Sequence, residues 1–281
     1  MNKVYYGLVT GGNRGIGLAL IRILLAADPS LHIFLGSRSY SSANHAILSL
    51  PSPLQSRVTG IELDVTSSSS LENARDAVLG VTTSLRLLVN NAGILGETDS
   101  KEATMATNFF GVINTTNVFL PLLEREECNM KDDLLDASTV IVTSSSCGVR
   151  FLAGKDESFR EKILSETLSV PGLTDLVNED AATTDDIYST TKMGANMFVK
   201  IKAREMAPKV RFASVSPGFT NTDMCKNYTG SRKPKEVDLG ASVFRECLFG
   251  IGSRKSGIFV KQNDEAGTPL SKATSKLTGW A

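Results

Sequence analysis

"LVTGGNRGIGLAL", residues 8–20, runs from a short apolar segment through a glycine turn into an apolar helical stretch. Gly11, Gly15 and Gly17 stand where a first strand hands over to a first helix. Glycine lets the backbone turn tightly and lets a bulky anion approach it closely. The helix N-terminus behind it offers unpaired N–H groups and a partial positive charge. The spacing is G-x-x-x-G-x-G rather than the commoner G-x-G-x-x-G. Alone, such a turn can be purely structural. Placed after strand one of a chain in which strands and helices alternate, it reads as the cradle of a dinucleotide's pyrophosphate.

The alternation continues along the chain. The runs 4–10, 32–37, 58–64, 85–91, 139–145, 210–216 and 257–261 are aliphatic or β-branched, too short for helices, and bounded by polar or glycine-rich turns. Most are apolar on both faces, as strands of a parallel sheet covered above and below are. Helical spacing recurs at 16–27, 69–82, 102–126, 188–207 and 239–249, with Pro121 kinking or ending the third of these. The pattern predicts one α/β domain over 1–281, a doubly wound Rossmann fold. Its sheet is mostly parallel and seven-stranded, with right-handed crossovers and helices on both faces. The segment 147–187 breaks the rhythm and is too long for a plain loop. Within it "DESFREKILSET" (156–167) and "GLTDLVNED" (172–180) have helical apolar spacing, which predicts a helical insertion.

Composition narrows the partners. With 281 residues, 41% of them hydrophobic, the chain can bury a large core. Thirty basic and 30 acidic residues, scattered along it, form no footprint for nucleic acid or an anionic membrane. No apolar run reaches the roughly 18 residues of a membrane span. "MNKVYYGLVTGG" lacks the apolar core and cleavage site of a signal peptide. Cys128, Cys147, Cys225 and Cys247 form no CxxC pair, and His32 and His45 complete no zinc set with them. The expectation is a cytoplasmic protein with reduced thiols and no metal, nucleic-acid or membrane partner.

The second strand ends "FLGSRS", with Ser37 and Arg38 where an NAD site usually carries an acid for the ribose 2′-hydroxyl. A hydroxyl and a guanidinium suit a 2′-phosphate, and Arg14 in the glycine turn is a second candidate for it. This points to NADP(H). Further on, "DIYSTTKMGAN" (186–196) sets Tyr188 four residues before Lys192, on one face of a helix. A carbonyl reduced by a nicotinamide cofactor leaves an alkoxide that needs a proton. Lowering a tyrosine pKa from about 10 toward 7 takes roughly 4 kcal/mol. One ammonium about 4 Å away at an effective dielectric near 20 supplies about that much. Two unrelated residues on a helix surface would show the same spacing, so the pair needs its context.

That context is a series of motifs. "TGGNRGIG" (10–17), "LDVT" (63–66), "NNAG" (90–93), Asn108, "TSSSCG" (143–148), "YSTTK" (188–192) and "SPGFTNTDM" (216–224) occur in the order of the short-chain dehydrogenase/reductase family, which the chain resembles to about residue 260. The long segment before "YSTTK", with "GGNRG" and "GSR", looks most like the NADPH-dependent carbonyl reductase branch. The resemblance implies a catalytic set of Asn108, Ser145, Tyr188 and Lys192, with Ser144 and Ser146 as alternatives for the serine. Ser145 would bind the carbonyl oxygen, Tyr188 would donate the proton, Lys192 would tune it and bond the nicotinamide ribose, and Asn108 would steady a water in the relay. It further implies cofactor contacts from Gly11, Asn13, Arg14, Gly15, Ile16 and Gly17, and from Asp64 and Val65 near the adenine. Asn91, Ala92 and Gly93 would border the adenosine ribose; Pro217, Gly218, Thr220 and Thr222 would embrace the nicotinamide and its phosphate. Asp64 reads equally as a strand-end cap.

The implied substrate is a small carbonyl compound, a ketone, aldehyde or quinone; Phe151, Leu152 and Phe219 are candidates to line its pocket or simply to pack. Family tetramers commonly pair the asparagine and tyrosine helices across subunits. Here "NTTNVF" (114–119) and "KIKARE" (200–205) put polar residues on those helices, and the 147–187 segment needs an apolar surface to cover. The expectation is a monomer with that segment packed over the bundle surface, one edge facing the substrate.

Overall fold

The computed structural model describes residues 4–96, 99–124, 138–250 and 255–261. Seven strands form one sheet: β1 (Tyr5–Thr10), β2 (Leu31–Ser37), β3 (Val58–Glu62), β4 (Leu87–Asn90), β5 (Ser138–Thr143), β6 (Val210–Ser216) and β7 (Ile258–Lys261). Their order is β3-β2-β1-β4-β5-β6-β7, and every pairing is parallel. All seven expected strands are present, and the sheet is entirely rather than mostly parallel.

Alternation along the strands feeds two cores. Leu8, Phe34, Leu88, Val140, Val142 and Phe212 point to one face, where they meet α4 (Ser68–Leu79), α6 (Gly111–Leu123) and α10 (Ile187–Met206). Val9, Ile33, Leu35, Val89, Ile141 and Ala213 point to the other, against α1 (Gly15–Ala27), α2 (Tyr40–Ser49) and α11 (Val237–Phe249). Strand order reverses between β1 and β4, and in open α/β sheets the crevice at the carboxyl ends of such strands is where ligands bind.

Three helical features differ from the expectation. α2, followed by the short α3 (Ser52–Gln55), lies in a stretch whose serines and alanines carry little apolar periodicity. The helix expected over 102–126 is α5 (Lys101–Met105), a wide π-type turn at Ala106–Phe110, and α6, which runs through Pro121 and stops at Leu123. α7 (Ser146–Ala153) begins directly after β5, capped by Ser145, whose hydroxyl accepts the Cys147 N–H.

Within 147–187 the two expected helices are α8 (Glu157–Leu164) and α9 (Val170–Thr183). Ile163, Leu173 and Val177 join the core beneath α10. Asp180 of α9 accepts the Thr190 hydroxyl of α10 at 2.7 Å and is ion-paired with Lys155, whose ammonium stands 4.1 Å from the Phe151 ring centroid. Glu166 pairs with Lys200 at 2.9 Å on the outer side. As a result every residue of α10 from Ser189 to Val199 is buried within the single chain.

Candidate active site

A cleft of about 1330 Å³ opens over the carboxyl ends of β1, β2, β4, β5 and β6. Every expected cofactor and catalytic residue except Asn108 lines it: Gly11, Asn13, Arg14, Gly15, Ile16, Gly17, Ser37, Arg38, Asp64, Val65, Asn91, Ala92, Gly93, Ser145, Tyr188, Lys192, Pro217, Gly218, Thr220 and Thr222. Its volume exceeds the roughly 300–1,000 Å³ of a drug-sized site and suits a dinucleotide with a small substrate beside it.

The glycine turn is held open by its neighbours. Gly11 and Gly15 adopt positive φ (61° and 53°), which glycine takes at no steric cost. A Cβ on Gly17 would fall 2.6 Å from Asn91 Nδ2 and closer still to the Gly11 carbonyl oxygen. Asn91 Nδ2 donates to the carbonyls of Thr10 (3.0 Å) and Gly11 (3.1 Å), while Thr10 Oγ1 accepts the N–H groups of Asn91 and Ala92. Thr10 thus joins the turn to the end of β4, a role its sequence signal, one hydroxyl closing an apolar run, did not single out.

At the end of β2, Ser37 is buried and Arg38 is exposed at the cleft. Among the described residues no carboxylate pairs with Arg38. Asp64 forms a local turn, accepting the Thr66 N–H at 2.9 Å and hydroxyl at 2.7 Å, so the strand-end cap reading holds for its carboxylate. Arg14 lines the cleft too, and its guanidinium bonds Asp223 at 3.1 Å, just beyond Thr222.

Each serine of 144–146 has a different partner. Ser144 Oγ donates to the Lys192 carbonyl at 3.2 Å, and Ser146 bonds Ser216. The Ser145 hydroxyl stands near enough to the Tyr188 phenol to favour its ionised form. Its oxygen already accepts the Cys147 N–H, so its own proton is directed toward Tyr188 and the space in front of it.

Lys192 is 5% exposed and donates to the Thr143 carbonyl at 2.9 Å, 5.5 Å from the Tyr188 ring centroid. Burial lowers its pKa to about 8. Burial also raises the Tyr188 phenol above its ordinary value, Cys147 adds to that, and the Ser145 hydroxyl opposes it. The phenol is thus shifted opposite to the expectation, by its own desolvation first, while Lys192 bonds the Thr143 carbonyl. A phenol that stays protonated at neutral pH is still a far stronger acid than the alcohol an alkoxide becomes, so it retains the capacity to donate.

This burial has a measurable consequence. An unfolded lysine keeps its proton to about pH 10.5, whereas folded Lys192 releases it near 8. Between those values the unfolded chain binds more protons, so stability rises with pH there, and the folded state is penalised fully below pH 8. Above pH 10 the raised Tyr188 phenol acts in the opposite sense. Lys192→Met removes a burial penalty on the order of 3 kcal/mol at neutral pH and loses a hydrogen bond worth about 1 kcal/mol. It is expected to raise Tm at pH 7 and to flatten the rise between pH 8 and 10. A lower Tm at pH 7 in a thermal scan would contradict this.

Asn108 lies fully buried behind the cleft, in the π-type turn. Its Oδ1 accepts the Ile94 N–H at 2.9 Å and its Nδ2 donates to the Ile94 carbonyl at 2.8 Å. It clamps the backbone beside Gly93, where an added Cβ would stand 3.2 Å from Asn108 Oδ1 and 3.6 Å from Lys192 Nζ. At the open end, Phe219 lines the cleft as anticipated, but Phe151 and Leu152 do not: Leu152 is 3% exposed in the core and Phe151 packs against it under Lys155. Cys147, Arg150, Tyr228 and Arg232 line it too. Arg150, Tyr228 and Arg232 were missed because they lie beyond the motifs at 143–148 and 216–224.

A glycine cradle at the switch point of a doubly wound sheet, with a tyrosine, serine and buried lysine at one end, defines a dinucleotide-type oxidoreductase site. The chain belongs to the short chain dehydrogenase family, whose model matches residues 6–153 and 179–233 and passes over the stretch holding α8 and most of α9. Among curated proteins it is 29% identical to the NADPH carbonyl reductase 1 of Homo sapiens over 264 residues, 85% of this chain and 89% of that protein. The corresponding protein of Rattus norvegicus is also 29% identical, over 260 residues, 84% of this chain and 87% of that one. In fold it is similar to salutaridine reductase from Papaver somniferum, with a TM-score of 0.75 and 24% identity over 91% of this chain and 99% of that one. NADPH-bound carbonyl reductase from chicken fatty liver superposes with a TM-score of 0.67 at 22% identity, covering 92% and 97%.

Proposed function

We propose that this protein is an NADPH-dependent reductase of carbonyl compounds (ketones, aldehydes or quinones), with Ser145, Tyr188 and Lys192 as its catalytic residues. The observation that carries the reading is the contact of Ser145 with Tyr188, above buried Lys192, in the same cleft as the glycine turn. The similarity to NADPH carbonyl reductases supports it. NADPH, when bound, supplies the hydride. Ser145 holds the carbonyl oxygen by a hydrogen bond, Tyr188 gives the proton that oxygen needs, and Lys192 keeps a positive charge beneath the pair. Asn108 is a positioning residue, holding the Gly93–Ile94 backbone and, through its 3.4 Å contact with Thr191, the turn that carries Lys192.

The cofactor fits the residues present. Gly11 to Gly17 leave room for a pyrophosphate, and Ser37 and Arg38 offer a hydroxyl and a guanidinium to a 2′-phosphate, with no carboxylate paired to Arg38 among the described residues. Arg38→Asp is expected to weaken NADPH by roughly 10- to 100-fold, the loss of one charge-assisted phosphate contact, and to favour NADH. Titration of both nucleotides tests it: a variant that keeps its NADPH preference overturns the assignment.

We propose further that the chain works as a monomer in a reducing, cytoplasmic compartment, its helical segment covering the face of α10. Burial of α10 from Ser189 to Val199 within one chain supports the first point, and the free thiols of Cys147, Cys225 and Cys247 are consistent with the second. Among the described residues no helix is long and apolar enough to cross a membrane. Light scattering at micromolar concentration is expected to give the 30.1 kDa of one chain. A tetramer built on α10 would refute it.

A further inference from the structure

The cleft has a second charged end that the cofactor does not account for. Seven cationic side chains line it against three carboxylates among the described residues. Asp223 is held by Arg14 and Lys226, Asp64 is closed on Thr66, and Asp99 stands on the β4–α5 loop. Arg38 belongs to the 2′-phosphate end and Lys192 lies beneath Tyr188.

Arg150 is different. From Tyr188 the contacts run to the Ser145 hydroxyl, then to the Cys147 N–H at 3.1 Å, and from the Cys147 thiol to Arg150 Nη2 at 3.3 Å. The guanidinium is thus linked to Ser145 through Cys147 and lines the same cleft as Ser145 and Tyr188. A thiol is a weak acceptor and engages one of five N–H donors, so the planar fork remains open for a bidentate acceptor. No carboxylate pairs with Arg150 among the described residues. Its place in the last turn of α7 favours a cation, but does not explain why that cation borders the cleft. The loop after β6 supplies an aromatic wall to the same cleft: Phe219 and Tyr228 meet edge to face at 4.6 Å, and the Arg232 guanidinium lies 5.5 Å from the Phe219 centroid.

Resting on the reductase reading above, we propose that the substrate is a carbonyl compound with a flat apolar body and a carboxylate, and that Arg150 binds that carboxylate while Phe219 and Tyr228 cover the body. Arg150 is then a specificity residue, outside the proton-donating set.

The test compares 4-formylbenzoate with its methyl ester, using NADPH-loaded wild-type protein, Arg150→Gln and Arg150→Lys. The ratio of kcat/KM for acid over ester is expected to fall ~10- to 100-fold in Arg150→Gln, the usual effect of losing a charge-assisted hydrogen bond, and to recover in part in Arg150→Lys. Comparing the ratio between proteins cancels the ester's higher intrinsic reactivity. Calorimetric binding of 4-(hydroxymethyl)benzoate and its methyl ester to NADP+-loaded protein gives a readout independent of turnover, and Arg150→Gln is expected to weaken the acid alone. A ratio and an acid affinity both unchanged in Arg150→Gln would overturn the proposal. If neither aldehyde is reduced by wild type, the reductase reading passes to a wider carbonyl panel, and the binding experiment still decides for or against the anion site.

Discussion

Tyr188→Phe is expected to lower kcat for a good carbonyl substrate about a thousandfold, the middle of the range for loss of a general acid. The reason is local. The ring packs at the start of α10, whose first turn is capped by the Asp186 carboxylate on the Ser189 N–H, so phenylalanine fits the same space. What disappears is the hydroxyl that meets Ser145. NADPH affinity is expected to stay close to that of wild type, because the glycine turn, Arg38 and Lys192 are untouched. Stopped-flow turnover alongside a cofactor titration separates the two effects. A variant turning over at near wild-type rate would remove Tyr188 from the chemistry.

The second large effect is expected at Gly17. Its absent Cβ leaves the space where the helix start, the Gly11 carbonyl and the Asn91 amide converge. Gly17→Val adds three carbons into that gap. The Gly11 oxygen is backbone, and Asn91 is itself fixed by the Thr10 and Gly11 carbonyls, so neither can yield without moving the turn. Overpacking of this kind typically strains a structure by about 1–3 kcal/mol, and here it acts on the pyrophosphate cradle. NADPH binding is expected to weaken more than ~100-fold, the equivalent of about 2.7 kcal/mol, with the far-ultraviolet circular dichroism preserved. Binding within a few-fold of wild type would show that the turn does not hold the phosphates.

The central strands were readable because both of their faces are buried, which leaves continuous apolar runs such as residues 140–142. The glycine turn and the Tyr188–Lys192 spacing were readable because their geometry demands particular residues at particular intervals. Other features leave no such trace. The π-type turn at Ala106–Phe110 inserts one residue's worth of rotation into a helix whose apolar spacing looks unbroken, and only the structure shows Asn108 turned toward Ile94. Arg14 has two eligible partners, a 2′-phosphate and Asp223, which lies 209 residues on and is invisible to local reading. The direction of the Tyr188 shift depends on how deeply the phenol itself is buried, which spacing does not reveal. Leu152 and Phe151 sit nearly two turns past Ser145, and whether they face substrate or core was decided by the phase of α7, a helix that the run of serines before it concealed.

The central claim, reduction of a carbonyl by NADPH at Ser145, Tyr188 and Lys192, is tested most directly by isotope transfer. Purified protein is incubated with a panel of aldehydes, ketones and quinones and with NADPH carrying deuterium at the nicotinamide C4, while the absorbance of the reduced nicotinamide is followed. Expected is loss of that absorbance with one deuterium appearing on the carbinol carbon of the product, faster with NADPH than with NADH and slowed about a thousandfold by Tyr188→Phe. Tight NADPH binding with no transfer to any carbonyl in the panel would contradict it.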